Sequence, residues 1–284
     1  MTADIVALAV TAVICIILPL VILGCVWKKK PMERKGIFVA FCCGVIIYFV
    51  MQWGVKEHGL QYLFNHSGLS GFMEKHYIPY LFLVALAGAV FALIPVIGIV
   101  VFFFKYQMSF AKASMMGLGY AMAEAVGLVG YRCIYTLVTC VKGDDVTLNT
   151  STIQLFLSGY ERVLFMVLQM AILVSFVYFI EQKMPIRGFF IALFCFTGIQ
   201  YLPGFFLAFT TKEYIEVFDR SAALIFSYIV LTMGAVCAGT VMNALKYSLQ
   251  DEQIDSKQAV AAYEKRQAEK RTKRMEKKNK KNLE

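Results

Sequence analysis

Seven stretches of this chain are each long and apolar enough to cross a lipid bilayer, and this repetition constrains the fold more than any motif. About 20 helical residues span a hydrocarbon core of ~30 Å. The stretches run 4–27, 36–54, 78–104, 113–140, 158–180, 187–209 and 219–245. They lack the alternation of barrel strands, so helices are the form that satisfies their backbone in lipid. Hydrophobic residues make up 59 % of the 284, above the ~45–50 % of a soluble domain. The expectation is an all-α polytopic membrane protein with about seven transmembrane helices over 1–247 and a basic tail over 248–284. Soluble function classes fall away, since the sequence shows no nucleophile elbow and no phosphate loop.

The net charge of +9 is distributed as a topology signal rather than a nucleic-acid footprint. KKKPMERK (28–35), Lys105, Lys112, Lys183, Arg187 and the tail fall on one side of the seven spans. GDDVTLNTST (143–152) and KEYIEVFDR (212–220), mixed or acidic, fall on the other. The N-terminus is then outside and the C-terminus inside, in a multi-pass protein of the plasma membrane. The tail reads as a cytoplasmic helix touching anionic lipid headgroups, with no nucleic-acid partner. The first span lacks a basic n-region and a cleavage site, so it reads as a membrane helix, not a removed signal peptide.

The eight cysteines sit in or beside apolar segments, form no CxxC, and read as packing residues. His58, His66 and His76 share one loop but match no usual ligand spacing. Two sequons, at Asn65 and Asn149, lie on the outer side.

The informative residues are the polar ones inside the spans. A charge at the bilayer centre costs at least ~2.5–3.5 kcal/mol, so each needs a partner or a wet cavity. In GLGYAMAEAVGLVGYR (117–132), Glu124 lies about a dozen residues past Lys112, ~18 Å into the fourth span. Glu161 and Arg162 open the fifth span, and Gln169 lies ~12 Å deeper, level with Glu124. Gln200 reaches a comparable depth in the sixth span. Two layers follow: Arg132, Glu161 and Arg162 outside, and Glu124, Gln169, Gln200 and Tyr120 in the middle. The expectation is a polar seam between the fourth, fifth and sixth helices, with Glu124 protonated or hydrogen-bonded to the glutamines. The glycines of the fourth span permit close helix packing. The seam serves either to lock the helices together or to bind something.

These residues have a familiar arrangement. GLGYAMAEA resembles the glycine-rich stretch ending in Glu-Ala of the YhfC family, and GYERVLFMVLQMA resembles that family's Glu-Arg segment. The family comprises bacterial intramembrane metalloproteases of the PrsW and CAAX-protease group, and the resemblance covers roughly 1–245. It implies a metal-dependent protease fold with Glu124 and Glu161 as remnant ligands or acids. Against it, Ala92, Leu93 and Pro95 stand at the family's Glu-Glu-Arg motif. Tyr120, Gln169, Phe196 and Gln200 stand at its histidine and aspartate positions. A catalytic zinc site takes three protein ligands around an open water position, which two glutamates and several amides do not supply. A pseudoprotease follows, with no cofactor, binding a membrane-protein partner, peptide or small ligand through Tyr120, Glu124, Arg132, Glu161, Arg162, Gln169 and Gln200. The alternatives are an active zinc protease that recruits His66 or His76, and a small transporter or sensor using Glu124.

Overall fold

The computed structural model describes residues 2–66, 69–104, 108–142, 151–211 and 223–246. The acidic loops, the Asn149 sequon and the basic tail lie outside the described residues, as does Lys105. The described chain is helical. In order it comprises α1 (Thr2–Lys29), a 3₁₀ turn (Pro31–Glu33), α2 (Arg34–Ile47), α3 (Glu57–His66) and α4 (Leu69–Lys75). Then come α5 (Tyr77–Gly98), α6 (Phe110–Ala125), α7 (Tyr131–Val141), α8 (Thr152–Glu181) and α9 (Pro185–Thr211), with α10 over Ala223–Lys246. Wider π-type turns join α2 to α3 (Tyr48–Lys56) and α6 to α7 (Val126–Gly130), and extend α5 (Ile99–Phe103).

These elements make seven helical runs long and apolar enough to cross a membrane: Ala3–Lys29, Pro31–Tyr62, Tyr77–Phe103, Phe110–Cys140, Thr152–Glu181, Pro185–Phe206 and Ala223–Lys246. The protein is a multi-pass membrane protein. Large apolar side chains such as Phe102, Ile186 and Phe194 stand exposed on the outside of the bundle, the surface that lipid covers. The second run is longer than the sequence suggests, because the π-type turns carry the helix through Gln52 and Lys56.

Local signals explain the helix ends. The Ser109 side chain accepts the Lys112 N–H at the start of α6. Ser151 and Gln154 form a reciprocal capping box before α8. The turn into α9 is a Schellman motif: Lys183 N–H donates to Ile180 O (3.1 Å) and Met184 N–H to Phe179 O (2.9 Å). Lys183 occupies the left-handed position at φ 58°, where glycine is usual. Pro185 then opens α9, where a missing N–H costs nothing.

α8 is the central post. Of its span, 67 % is buried, against 17–39 % for the other six. It packs against α1, α6 and α9, and against α10 through Leu164, Phe165, Leu168, Leu231 and Ala235. α6 lies between α8 and α2, and its glycines set the spacing. A Cβ on Gly117 would stand 2.7 Å from Met170 Cα, and one on Gly119 would overlap the Phe41 carbonyl. Gly44 of α2 meets the Met116 carbonyl in the same way. Backbones at such range bring the side chains of α2, α6 and α8 into one interior.

Candidate functional site

α6 and α8 place their polar residues against one another in that interior. Glu124 and Gln169 are both buried, and Gln169 Nε2 donates a short hydrogen bond to Glu124 Oε2. Arg162, one to two turns from Gln169 along α8, is buried as well. Its Nη1 lies 3.9 Å from Glu124 Oε1, and its Nη2 donates to Glu161 Oε1 at 2.5 Å. The guanidinium stands 4.7 Å from the centroid of the Phe165 ring, a cation–π contact that suits arginine away from water. Tyr228 of α10 brings its hydroxyl to Glu161. The core of the site is therefore Gln169–Glu124–Arg162–Glu161, two carboxylates sharing one guanidinium.

A second polar node adjoins it, from residues the sequence reading left in a loop or in apolar packing. Gln52 Nε2 donates to the Gly88 carbonyl of α5 at 2.7 Å. Gly88 has no side chain, and into that space come Gln200 Oε1 and Lys56 Nζ, 2.5 and 3.1 Å from where a Cβ would stand. Lys56 is also near enough for its ammonium to act on the Glu124 carboxylate. Between the nodes stands Tyr120, 1 % exposed, edge-on to Tyr48 (5.4 Å, 88°) and Phe196 (5.4 Å, 87°). Gln52 approaches the Tyr120 hydroxyl without strict hydrogen-bond geometry.

Of the residues expected at the site, Tyr120, Glu124, Glu161, Arg162 and Gln169 come together. Gln200 joins through Gly88 and Lys56 rather than through Glu124. Arg132 does not join: it is exposed on α7. Its expected position assumes an uninterrupted α-helix from Glu124, two turns with matching phase. The π-type turns at Val126–Gly130 use more residues per turn and rotate α7 relative to α6. The Glu161–Arg162 pair also lies closer to Glu124 than the expected separation into two layers allows, since the long Arg162 side chain reaches from one to the other. Lys56 lies two residues past the expected end of the second span at 54, and Tyr48 and Gln52 lie inside that span, where they read as apolar packing. A signal is present: Gln52 and Lys56 are spaced i, i+4 at the end of the apolar run.

The site leaves hydrogen-bonding capacity unused. Arg162 Nε and Nη1, Gln169 Oε1 and the Tyr120 and Thr197 hydroxyls are buried without a hydrogen-bond partner. Each such group costs roughly 1–3 kcal/mol. The donor set does not suit a metal. Among the described residues no three His, Cys, Asp or Glu side chains converge, and both glutamates are engaged with Arg162. His58 and His76 are exposed, away from the seam. Phe165 lies under the guanidinium and Phe196 against Tyr120, whereas Phe194 points away from the interior.

No family model, no curated protein and no solved structure matches the chain.

Proposed function

We propose that the chain is a plasma-membrane protein that binds a peptide group of a membrane partner in the seam between α6, α8 and α9, without hydrolysing it. The unused capacity around Glu124 carries the proposal. Arg162 Nε and Nη1 are buried donors and Gln169 Oε1 is a buried acceptor, all without hydrogen-bond partners. A peptide group offers one acceptor and one donor, the complement of that set. Inside a bilayer no bulk water competes for those groups, so the complement has a clear advantage. Such a seam suits a pseudoprotease of the YhfC type, in which Tyr120, Gln169 and Phe196 would stand at the imidazole positions. The basic face of the bundle, carrying Lys29, Lys30 and Lys246, is then cytoplasmic.

Hydrolysis through a metal lacks its ligands among the described residues: the two carboxylates are tied to a guanidinium, and no third donor of suitable chemistry joins them. The test uses the full chain in nanodiscs, titrated with an N-acetylated, C-amidated apolar tetrapeptide and with its ester-linked analogue, which lacks the N–H donors. The peptide is expected to raise the unfolding temperature more than the ester does, and Gln169→Leu to abolish the difference. Equal shifts from both compounds refute the peptide reading. Cleavage products by mass spectrometry in the presence of zinc refute the non-hydrolytic part.

A further inference from the structure

At the end of the bundle opposite the Glu161–Arg162 mouth, a cavity of about 230 Å³ opens between the end of α1, the start of α6 and the end of α10. It is lined by Lys29, Lys30 and Lys246, and by Glu33, Ser109 and Ser114. Lysine outnumbers glutamate three to one in this lining. The Ser109 hydroxyl donates to Glu33, whose carboxylate keeps its one negative charge against three lysines. Ser114 is engaged too, donating to Phe110 O at 2.7 Å. The remaining lining is apolar, from Val26, Phe110, Ala111 and Met115. A basic rim over an apolar floor is the polarity of a phospholipid where its headgroup meets its glycerol and acyl chains.

The setting agrees. Trp27, exposed and stacked on Phe38 (6.1 Å between centroids), stands beside the lysines at this end. Tryptophan collects where bilayer meets water. The volume lies below the ~300–1,000 Å³ of sites that enclose a drug-sized ligand. A headgroup fragment fits it, with the chains left outside in the bilayer.

We infer that this cavity binds a phosphate group, held by Lys29, Lys30 and Lys246, at the depth of an anionic phospholipid headgroup. Lysine ammoniums serve as point charges for phosphate, and each one near an anionic membrane surface adds to the attraction. The site is independent of the seam around Glu124, sharing none of its residues.

The experiment measures thermal stabilisation of the full chain in a neutral detergent by three probes: dihexanoyl phosphatidylglycerol, dihexanoyl phosphatidylcholine and inorganic phosphate. Phosphatidylglycerol is expected to stabilise at concentrations where phosphatidylcholine does not. A Lys29→Gln/Lys30→Gln/Lys246→Gln variant is expected to lose affinity for it by at least about tenfold, and the triple Lys→Arg variant to retain it. Stabilisation by inorganic phosphate matching that of the lipid supports the site and assigns its ligand to the free anion. Stabilisation exceeding it supports the site and assigns it to the lipid. Equal shifts from the two lipids overturn the inference, as does an undiminished phosphatidylglycerol shift in the triple Gln variant. If that variant is not monodisperse, Lys30→Gln alone, at an exposed position, replaces it and must still weaken binding.

Discussion

Arg162 is the residue whose loss should hurt this fold most among the polar groups of the seam, and the cost can be worked from its surroundings. It faces Glu124 at 3.9 Å and Glu161 at 2.5 Å. At 3.9 Å and an effective dielectric of about 20, the Glu124–Arg162 attraction alone is about 4 kcal/mol before desolvation. Arg162→Met removes the one cation between two carboxylates and leaves Glu124 buried beside only a glutamine amide and a more distant lysine. Removing one partner of a buried pair typically costs about 3–5 kcal/mol. Glu124→Gln is milder. Arg162 keeps Glu161, and the new amide can still bond Gln169, so the loss is that of one charge-assisted hydrogen bond, about 1.5–3 kcal/mol. At ~2–4 °C per kcal/mol, Arg162→Met should lower the unfolding temperature in detergent by about 6–20 °C, and Glu124→Gln by a smaller amount, about 3–12 °C. The double variant Arg162→Met/Glu124→Gln should be more stable than the sum of the two losses allows, by about 2 kcal/mol. An Arg162→Met protein as stable as the parent, or one less perturbed than Glu124→Gln, would refute the claim that this guanidinium neutralises two carboxylates.

Further outcomes follow from the same structure. Gly117→Leu puts a side chain where even a Cβ would stand 2.7 Å from Met170 Cα. It should separate α6 from α8 and cost more than the ~1–3 kcal/mol typical of overpacking, read as loss of monodisperse protein on gel filtration. Gly234→Leu on α10, where a Cβ meets only Leu168 Cδ2 at 3.6 Å, should be far milder. Lys183→Gly relieves a left-handed backbone and should raise the unfolding temperature, by a gain of about 1 kcal/mol. Lys56→Met removes the more distant cation that acts on Glu124, so the double variant with Arg162→Met should lose more than the two single losses combined, read as a larger fall in unfolding temperature.

The architecture was legible because its signal is redundant. Each span repeats the same message of length and apolarity, and only the ends shifted: the second run extends from 54 to Tyr62, and the fifth starts at Thr152 rather than 158. The pairing of Glu124 with Gln169 was legible for a related reason. Depth along a straight helix is simple arithmetic, and a buried carboxylate must find a partner at its own level. Rotation about the helix is less forgiving. One stretch of wider turns between Glu124 and Arg132 was enough to send Arg132 outward. The same kind of turn in the second span carried Gln52 inward and brought Lys56 to Gly88. Nothing in the composition of Val126–Gly130 marks such a turn, since its five residues are all valine, leucine or glycine. The contribution of Gly88 was hidden too, because its role is to leave room for residues from two other spans.

The central claim, that α6 and α8 face each other through Glu124 and Gln169 inside the bilayer, is tested most directly by disulfide trapping. With the eight native cysteines replaced by alanine, Glu124→Cys and Gln169→Cys are introduced together and oxidised in native membranes. The account predicts rapid intramolecular cross-linking for this pair and none for Arg132→Cys with Gln169→Cys. Failure of the first pair to cross-link, together with modification of the cysteine at 124 by a lipid-soluble maleimide, would place Glu124 toward lipid and contradict it.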